Sequence, residues 1–305
     1  MIDILSIQLT ILLTIAVGYG VAKGGLLSGK TRADLTDIVI NIILPCSIFD
    51  AFQHGITIEL MRSSLAILLS ACGLQILVFL LNKVLYFWIP PKKSVILKYA
   101  TITNNAVFMG FPILGAIYGE IGILYGSIFI IPMRIMMWTA GLSLFTSLDR
   151  KKNTIALVTH PCFLTVFIGF AYAFAPFTLP HFLTDAIRWI GECVRILPMF
   201  IVGSILSGVK PRDVIDKHCF YFSFLRLICI PAIMFGALSL LRLDSVVIGV
   251  TVLEAAMPAA VMTAVLSEKY GQDVDFASKT VFVSMILSII TLPIIAVALT
   301  WIHIA

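Results

Sequence analysis

The 305-residue chain is 60% hydrophobic, only 12% charged, and carries a formal net charge of +5. A soluble domain holds roughly 25% charged residues, so this composition excludes one, and the mean hydropathy of +1.07 agrees. The apolar residues run in long blocks instead of alternating over about ten residues, which excludes a membrane β-barrel and leaves an all-α integral membrane fold.

In chain order, apolar stretches near 20 residues predict ten spans, at 4–22, 34–53, 63–88, 94–117, 121–147, 154–175, 182–207, 214–241, 244–267 and 276–302. The first ends at Lys23 without a small-residue cleavage site and reads as a retained helix, not a signal peptide. The odd-numbered loops and the span ends that adjoin them hold fifteen Lys and Arg residues, whereas the even loops and both ends hold only Arg62 and Arg242. Basic loops mark the cytoplasmic side. The expectation is a multi-pass protein of the cell inner (plasma) membrane with both termini outside. The net charge is then an orientation signal, and charges dispersed over five short loops give no surface for a nucleic-acid partner. The six cysteines form no CxxC pair and the five histidines no HExxH pattern, so neither a disulfide framework nor a metal site is expected.

The basic segment "LDRKKN" (148–153) divides the chain into two five-span halves, 1–148 and 154–305, joined by a cytoplasmic linker at 149–153. Each half has an Leu-Pro pair in its second span, Leu44-Pro45 in "NIILPCSIF" and Leu197-Pro198 in "VRILPMFIVG". Each also has a proline in its fourth span, Pro112 in "NNAVFMGFPILG" and Pro258 in "LEAAMPAAVM", 67 and 60 residues further on. Prolines are frequent in membrane helices, so coincidence is the plain alternative. The matched positions and the central basic loop favour a repeat, and an odd number of spans per half inverts its second copy. Pro112 removes a backbone donor and Gly110 permits close backbone approach, so a broken helix is expected there, with a second break at Ala256, Met257 and Pro258. Paired interrupted spans point to a transporter's midplane binding site. Asn104 and Asn105 would add amide donors and acceptors to it.

These two segments, "NNAVFMGFPILGAIYG" and "LEAAMPAAVMTAVLSEKYGQDVDFASKTVFVSMILSIITLP", resemble the auxin efflux carrier family, whose bacterial members include malate and malonate permeases. The resemblance covers the whole chain. It implies an inverted-repeat fold related to the bile acid sodium symporters, with crossing fourth and ninth helices. Spans 1, 2, 6 and 7 would form a scaffold, and spans 3–5 and 8–10 a mobile transport domain. It further implies a homodimer and a small organic carboxylate as substrate, and it maps the family's Asn, Gly and Pro onto Asn105, Gly110, Pro112 and Pro258. One departure is that the third span, Ser63 to Trp88, has no acidic residue, where plant members carry one thought to couple transport.

Ionisable residues at membrane depth are costly and need a partner or a task. Arg134 lies mid-span in "FIIPMRIMMW", and Glu254 lies four residues before Pro258. A guanidinium can hold a carboxylate through two parallel hydrogen bonds, so Arg134 is a candidate for the substrate. A carboxylate in an apolar site can take up and release a proton, so Glu254 is a candidate for coupling. Asp185, Arg188, Glu192 and Arg195 share one helical face of span seven. The alternative is a set of buried ion pairs, Arg134 with Glu254, and Glu192 with Arg188 or Arg195. Arg226 is nearer the cytoplasmic side and could extend its head to water. The polar groups of Asn41 and Gln75 are expected to bond to neighbouring helices.

The leading reading is a secondary transporter of a small organic carboxylate working by alternating access, without cofactor, with a proton or sodium as the coupling ion. A sodium symporter of the bile acid type is the alternative. No phosphate-binding GxxxxGKS loop is present, and the DDxxD, GxGD and HExxH patterns of intramembrane enzymes are absent. No enzyme is expected.

Overall fold

A chain this apolar must satisfy its backbone hydrogen bonds internally. The computed structural model does so with helices: among the described residues there is no strand, only one isolated bridge. The described residues are 2–53, 58–145, 159, 161–175, 178–208, 216–241 and 243–301. The segment "LDRKKN" lies outside them. Among the described residues, six helical segments are long and apolar enough to cross a membrane: Gly29–Phe52, Ile58–Leu81, Ala106–Leu144, His181–Ser207, Lys217–Leu240 and Val274–Leu299. Shorter apolar helices span Leu9–Lys23, Pro161–Ala173 and Ser245–Ala255. The protein is a multi-pass helical membrane protein.

Proline sets the local irregularities. Helix α2 (Gly29–Ile38) is capped by the Ser28 hydroxyl, which accepts from the Thr31 amide at 3.1 Å. It passes through a π-turn, Val39–Ile43, into α3 (Leu44–Phe52). Pro45 has no N–H for the carbonyl of Asn41, and the turn ahead of it widens. The same pattern recurs at Ala106–Gly110 ahead of Pro112 and at Leu225–Cys229 ahead of Pro231.

The chain divides into two units. The first comprises residues 1–65, 107–128 and 158–208. In it α1 (Ile2–Lys23) lies along α9 (Leu197–Ser207), while α3 packs on α7 (Pro161–Ala173) and α8 (His181–Glu192). The α1–α9 contact depends on glycine: a Cβ at Gly203 would strike the backbone of Ile15 and Tyr19. Helix α6 (Phe111–Met136) is bent at Gly119, whose φ of 63° suits glycine alone. Its arms, 111–118 and 120–136, close tightly, since a Cβ on Gly122 would strike the Leu114 carbonyl.

The second unit comprises residues 66–106, 129–157 and 209–305. It holds most of α4 (Ile58–Leu81), then α5 (Pro91–Ile102), which packs on α13 (Met262–Lys269) and α14 (Val274–Trp301). Helix α10 (Lys217–Phe224) lies on α14, and α11 (Ile230–Leu240) on α12 (Ser245–Ala255). Asp216 caps α10 through the His218 amide at 2.9 Å and holds Lys93 at 2.5 Å. Two side-chain expectations fail. Asn41 donates to Asp37 of its own helix, and the buried Gln75 Oε1 has no hydrogen-bond partner among the described residues.

Candidate functional site

Two helix interruptions meet in the second unit. Helix α5 ends at Ile102, and Thr103 turns to extended backbone at φ −111° and ψ 123°. Helix α12 ends at Ala255, and regular helix resumes only at Met262. Between these ends Asn104 and Ala259 form an antiparallel bridge. The Asn105 amide donates to the Pro258 carbonyl at 2.8 Å, and the Ala260 amide to that of Thr103 at 3.5 Å. Each break thereby supplies partners for the backbone groups the other has freed. The first break does not fall at Gly110 and Pro112, as expected, but at Thr103 to Asn105. Gly110 closes the π-turn that runs directly into α6, and the widened turn accommodates the N–H that Pro112 lacks without breaking the helix. Pro258 lies within the second break, with Ala256 and Met257 before it.

The carbonyl ends of both half-helices are held by side chains. The Asn104 amide Nδ2 donates to the main-chain carbonyl of Glu254. Arg226, only 2% exposed, donates from Nε to the Met257 carbonyl and from Nη1 to the Thr101 carbonyl, both at 3.1 Å. Helix C-termini carry partial negative charge, and one guanidinium answers two of them. The sequence suggested a cation reaching for water. The structure buries it instead, because its partners arrive from α5 and α12, 125 and 31 residues away in sequence.

Several polar atoms here remain unspent. Asn104 Oδ1, both carboxyl oxygens of Glu254, Thr251 Oγ1 and Asn105 Nδ2 are buried without a hydrogen-bond partner among the described residues. The set holds three acceptor oxygens, a hydroxyl that can donate or accept, and an amide donor, so it can serve a proton or a small cation and can also donate to an anion. The Arg134–Glu254 ion pair does not form: the cation acting on the Glu254 carboxyl is Arg226, while the half-buried Arg134 acts on Tyr99 of α5. In the first unit, Arg188 pairs with Asp185 and not with Glu192. Glu192 and Arg195 make no hydrogen bond or ion pair among the described residues. Arg195 instead lines a cavity together with Pro112. Among the described residues no three His, Cys, Asp or Glu side chains group to hold a metal ion.

Paired helix breaks and unspent buried polar groups inside a multi-pass helical protein suit solute passage better than a fixed structural role. A family model described as membrane transport protein matches residues 4–156 and 150–296, nearly the whole chain. The chain belongs to this family of membrane transport proteins. The transporter is 26% identical over 299 residues to an "Uncharacterized transporter" of Methanothermobacter thermautotrophicus, covering 95% of this chain and 97% of that one. It is 23% identical over 302 residues to an uncharacterized transporter of Methanocaldococcus jannaschii, covering 94% and 96%. A protein of Rhizobium meliloti named "Putative malonate transporter" is 30% identical over 133 residues, 43% of this chain and 41% of that one. The kinship read from the two proline-containing segments therefore holds, and the chain is a transporter and not an enzyme.

Proposed function

We propose that the transporter carries a small organic carboxylate across the inner (plasma) membrane as a secondary, elevator-type alternating-access permease. The observation that carries this reading is the meeting of the Thr103–Asn105 and Ala256–Ala259 breaks, with Asn104, Asn105 and Glu254 keeping unspent polar atoms beside them. Irregular backbone is tolerated at membrane depth only where protein or water lines it, and such a lined crossing is where a solute can bind. The bend at Gly119 supports ten crossings in a 5+5 inverted repeat, because it makes 111–118 the end of the fourth and 120–136 the body of the fifth. The termini then lie outside, and the resemblance adds a homodimer. The malonate-named relative supports a carboxylate. Arg134, also of the second unit, is the candidate cation for the substrate.

The acceptor-rich group of Glu254, Asn104 and Thr251 favours coupling to a proton or to sodium. The test is thermal stabilisation of the purified transporter by mono- and dicarboxylates, with and without sodium and at two pH values. Stabilisation that grows with carboxylate concentration is expected. A folded protein stabilised by none of them overturns the reading.

A further inference from the structure

A carboxylate is held best by a guanidinium together with further hydrogen-bond donors, and the first unit brings such groups together. The His181–Ser207 span has 27 residues, and Arg195 stands at its middle. It closes the short 3₁₀ turn Cys193–Arg195, between the end of α8 at Glu192 and the Leu197-Pro198 start of α9. An arginine at mid-span is a functional-site hypothesis by default. Arg195 also lacks the usual structural explanation, since it makes no hydrogen bond or ion pair among the described residues.

Its surroundings supply what such a group would serve. Within the first unit Arg195 lines a cavity of about 220 Å³ together with Ser6, Thr10 and Thr14 of α1, and with Pro112 and Ala116 of α6. At roughly 30 Å³ per water, that is room for about seven waters, or for a dicarboxylate of three carbons and four oxygens. The three hydroxyl residues are spaced four apart and share one face of α1. Thr10 and Thr14 donate to the Ser6 and Thr10 carbonyls at 2.9 and 2.7 Å. Hydroxyl hydrogens rotate, so each can turn from a carbonyl of its own helix towards an anion. On its other side Arg195 borders a small cavity lined by Asp50, Glu120 and Glu192. Those carboxylates do not line the larger cavity, where the guanidinium is the one charged group among the lining residues.

The geometry points to this cavity as a carboxylate subsite, with Arg195 as the bidentate cation, Thr10 and Thr14 as hydroxyl donors, and Pro112 and Ala116 as its apolar wall. The inference rests on the proposed carboxylate transport and adds to it a carboxylate-binding cavity within the first unit.

The experiment is calorimetric titration of the purified full-length protein with sodium malonate, on wild type, Arg195→Gln, Arg195→Lys, Ala116→Leu and Arg188→Gln. Loss of a charged hydrogen-bond pair is expected to weaken binding about tenfold or more in Arg195→Gln, with Arg195→Lys between it and wild type. Ala116→Leu, which fills the cavity without touching charge, should weaken binding too. Arg188→Gln removes a charge from the same helix, outside the cavity, and should bind as wild type does. Unchanged affinity in both Arg195→Gln and Ala116→Leu, with wild type binding malonate, overturns the subsite and leaves carboxylate transport standing. If Arg195→Gln fails to fold, Arg195→Lys and Ala116→Leu decide in the same way. Absence of binding to malonate or any other carboxylate by folded wild type removes the transport reading, and the subsite with it.

Discussion

Replacing Arg226 by methionine tests whether one buried cation holds the two helix breaks together. The change deletes the donors to the Thr101 and Met257 carbonyls, which lie at the ends of α5 and α12. Each carbonyl left buried without a partner costs about 1–3 kcal/mol, or roughly 2–6 kcal/mol for both. Methionine also removes a buried charge, and that relief offsets part of the loss. A net destabilisation of about 2–4 kcal/mol is expected, a melting temperature lower by roughly 4–12 °C. Arg226→Lys, which keeps the charge and loses the fork of donors, should fall between the two. The assay is thermal unfolding in detergent combined with amide hydrogen exchange. Faster exchange should concentrate at residues 101–106 and 256–260. An Arg226→Met protein as stable as wild type, with unchanged exchange in those segments, would refute the reasoning.

Glycine spacing between α1 and α9 predicts that Gly203→Ala lowers the melting temperature markedly, because the new methyl meets backbone and not a movable side chain. Gly20→Ala meets nothing within 4 Å and should be neutral or stabilising by about 0.5–1 kcal/mol. At Asp216 burial favours the protonated form, but the bond from Lys93 and the His218 amide outweigh it and hold the carboxyl below its ordinary range. Its contribution to stability is full above the unfolded value near 3.9 and is lost as pH falls through the lower folded value. The stability gap between wild type and Asp216→Asn, followed by unfolding at stepped pH, should therefore hold at neutral pH and close in acid. Glu254→Gln should abolish pH-driven uptake and spare exchange, and an unaltered pH response in a flux assay would remove Glu254 from coupling. Arg134→Lys should weaken carboxylate binding with the fold intact; equal affinity by titration would take Arg134 out of the site.

The parts of this structure legible in the sequence are those written locally. Long apolar blocks located the helices, and the predicted boundary between the fourth and fifth spans falls on Gly119, where a positive φ requires glycine. The prolines marked real irregularities, although Pro112 follows a π-turn where a break is expected. The error at Pro112 has a simple cause. A missing N–H need not break a helix, because the turn ahead of it can widen into a π-turn and let the helix run on. The paired interruptions of the two halves announced that the Asn104–Asn105 and Ala256–Pro258 segments meet; that the first helix ends at Thr103 depends on the pairing with Ala259, far along the chain. Arg226 was misjudged for the same reason. Its distance from the span end suggested water, and only the assembled unit reveals two carbonyls waiting. Arg195 carried a usable signal, since a charged residue mid-span beside a Leu-Pro pair stands out. That it would remain unpaired, next to hydroxyls of α1, required the fold.

The central claim, carriage of a small carboxylate, is met most directly by uptake of labelled malonate into liposomes containing the purified protein, against protein-free liposomes and an excess of unlabelled competitor. The account predicts uptake that saturates, is displaced by other small carboxylates and responds to an imposed proton or sodium gradient. A folded, correctly inserted protein that moves neither malonate nor any other mono- or dicarboxylate would contradict it.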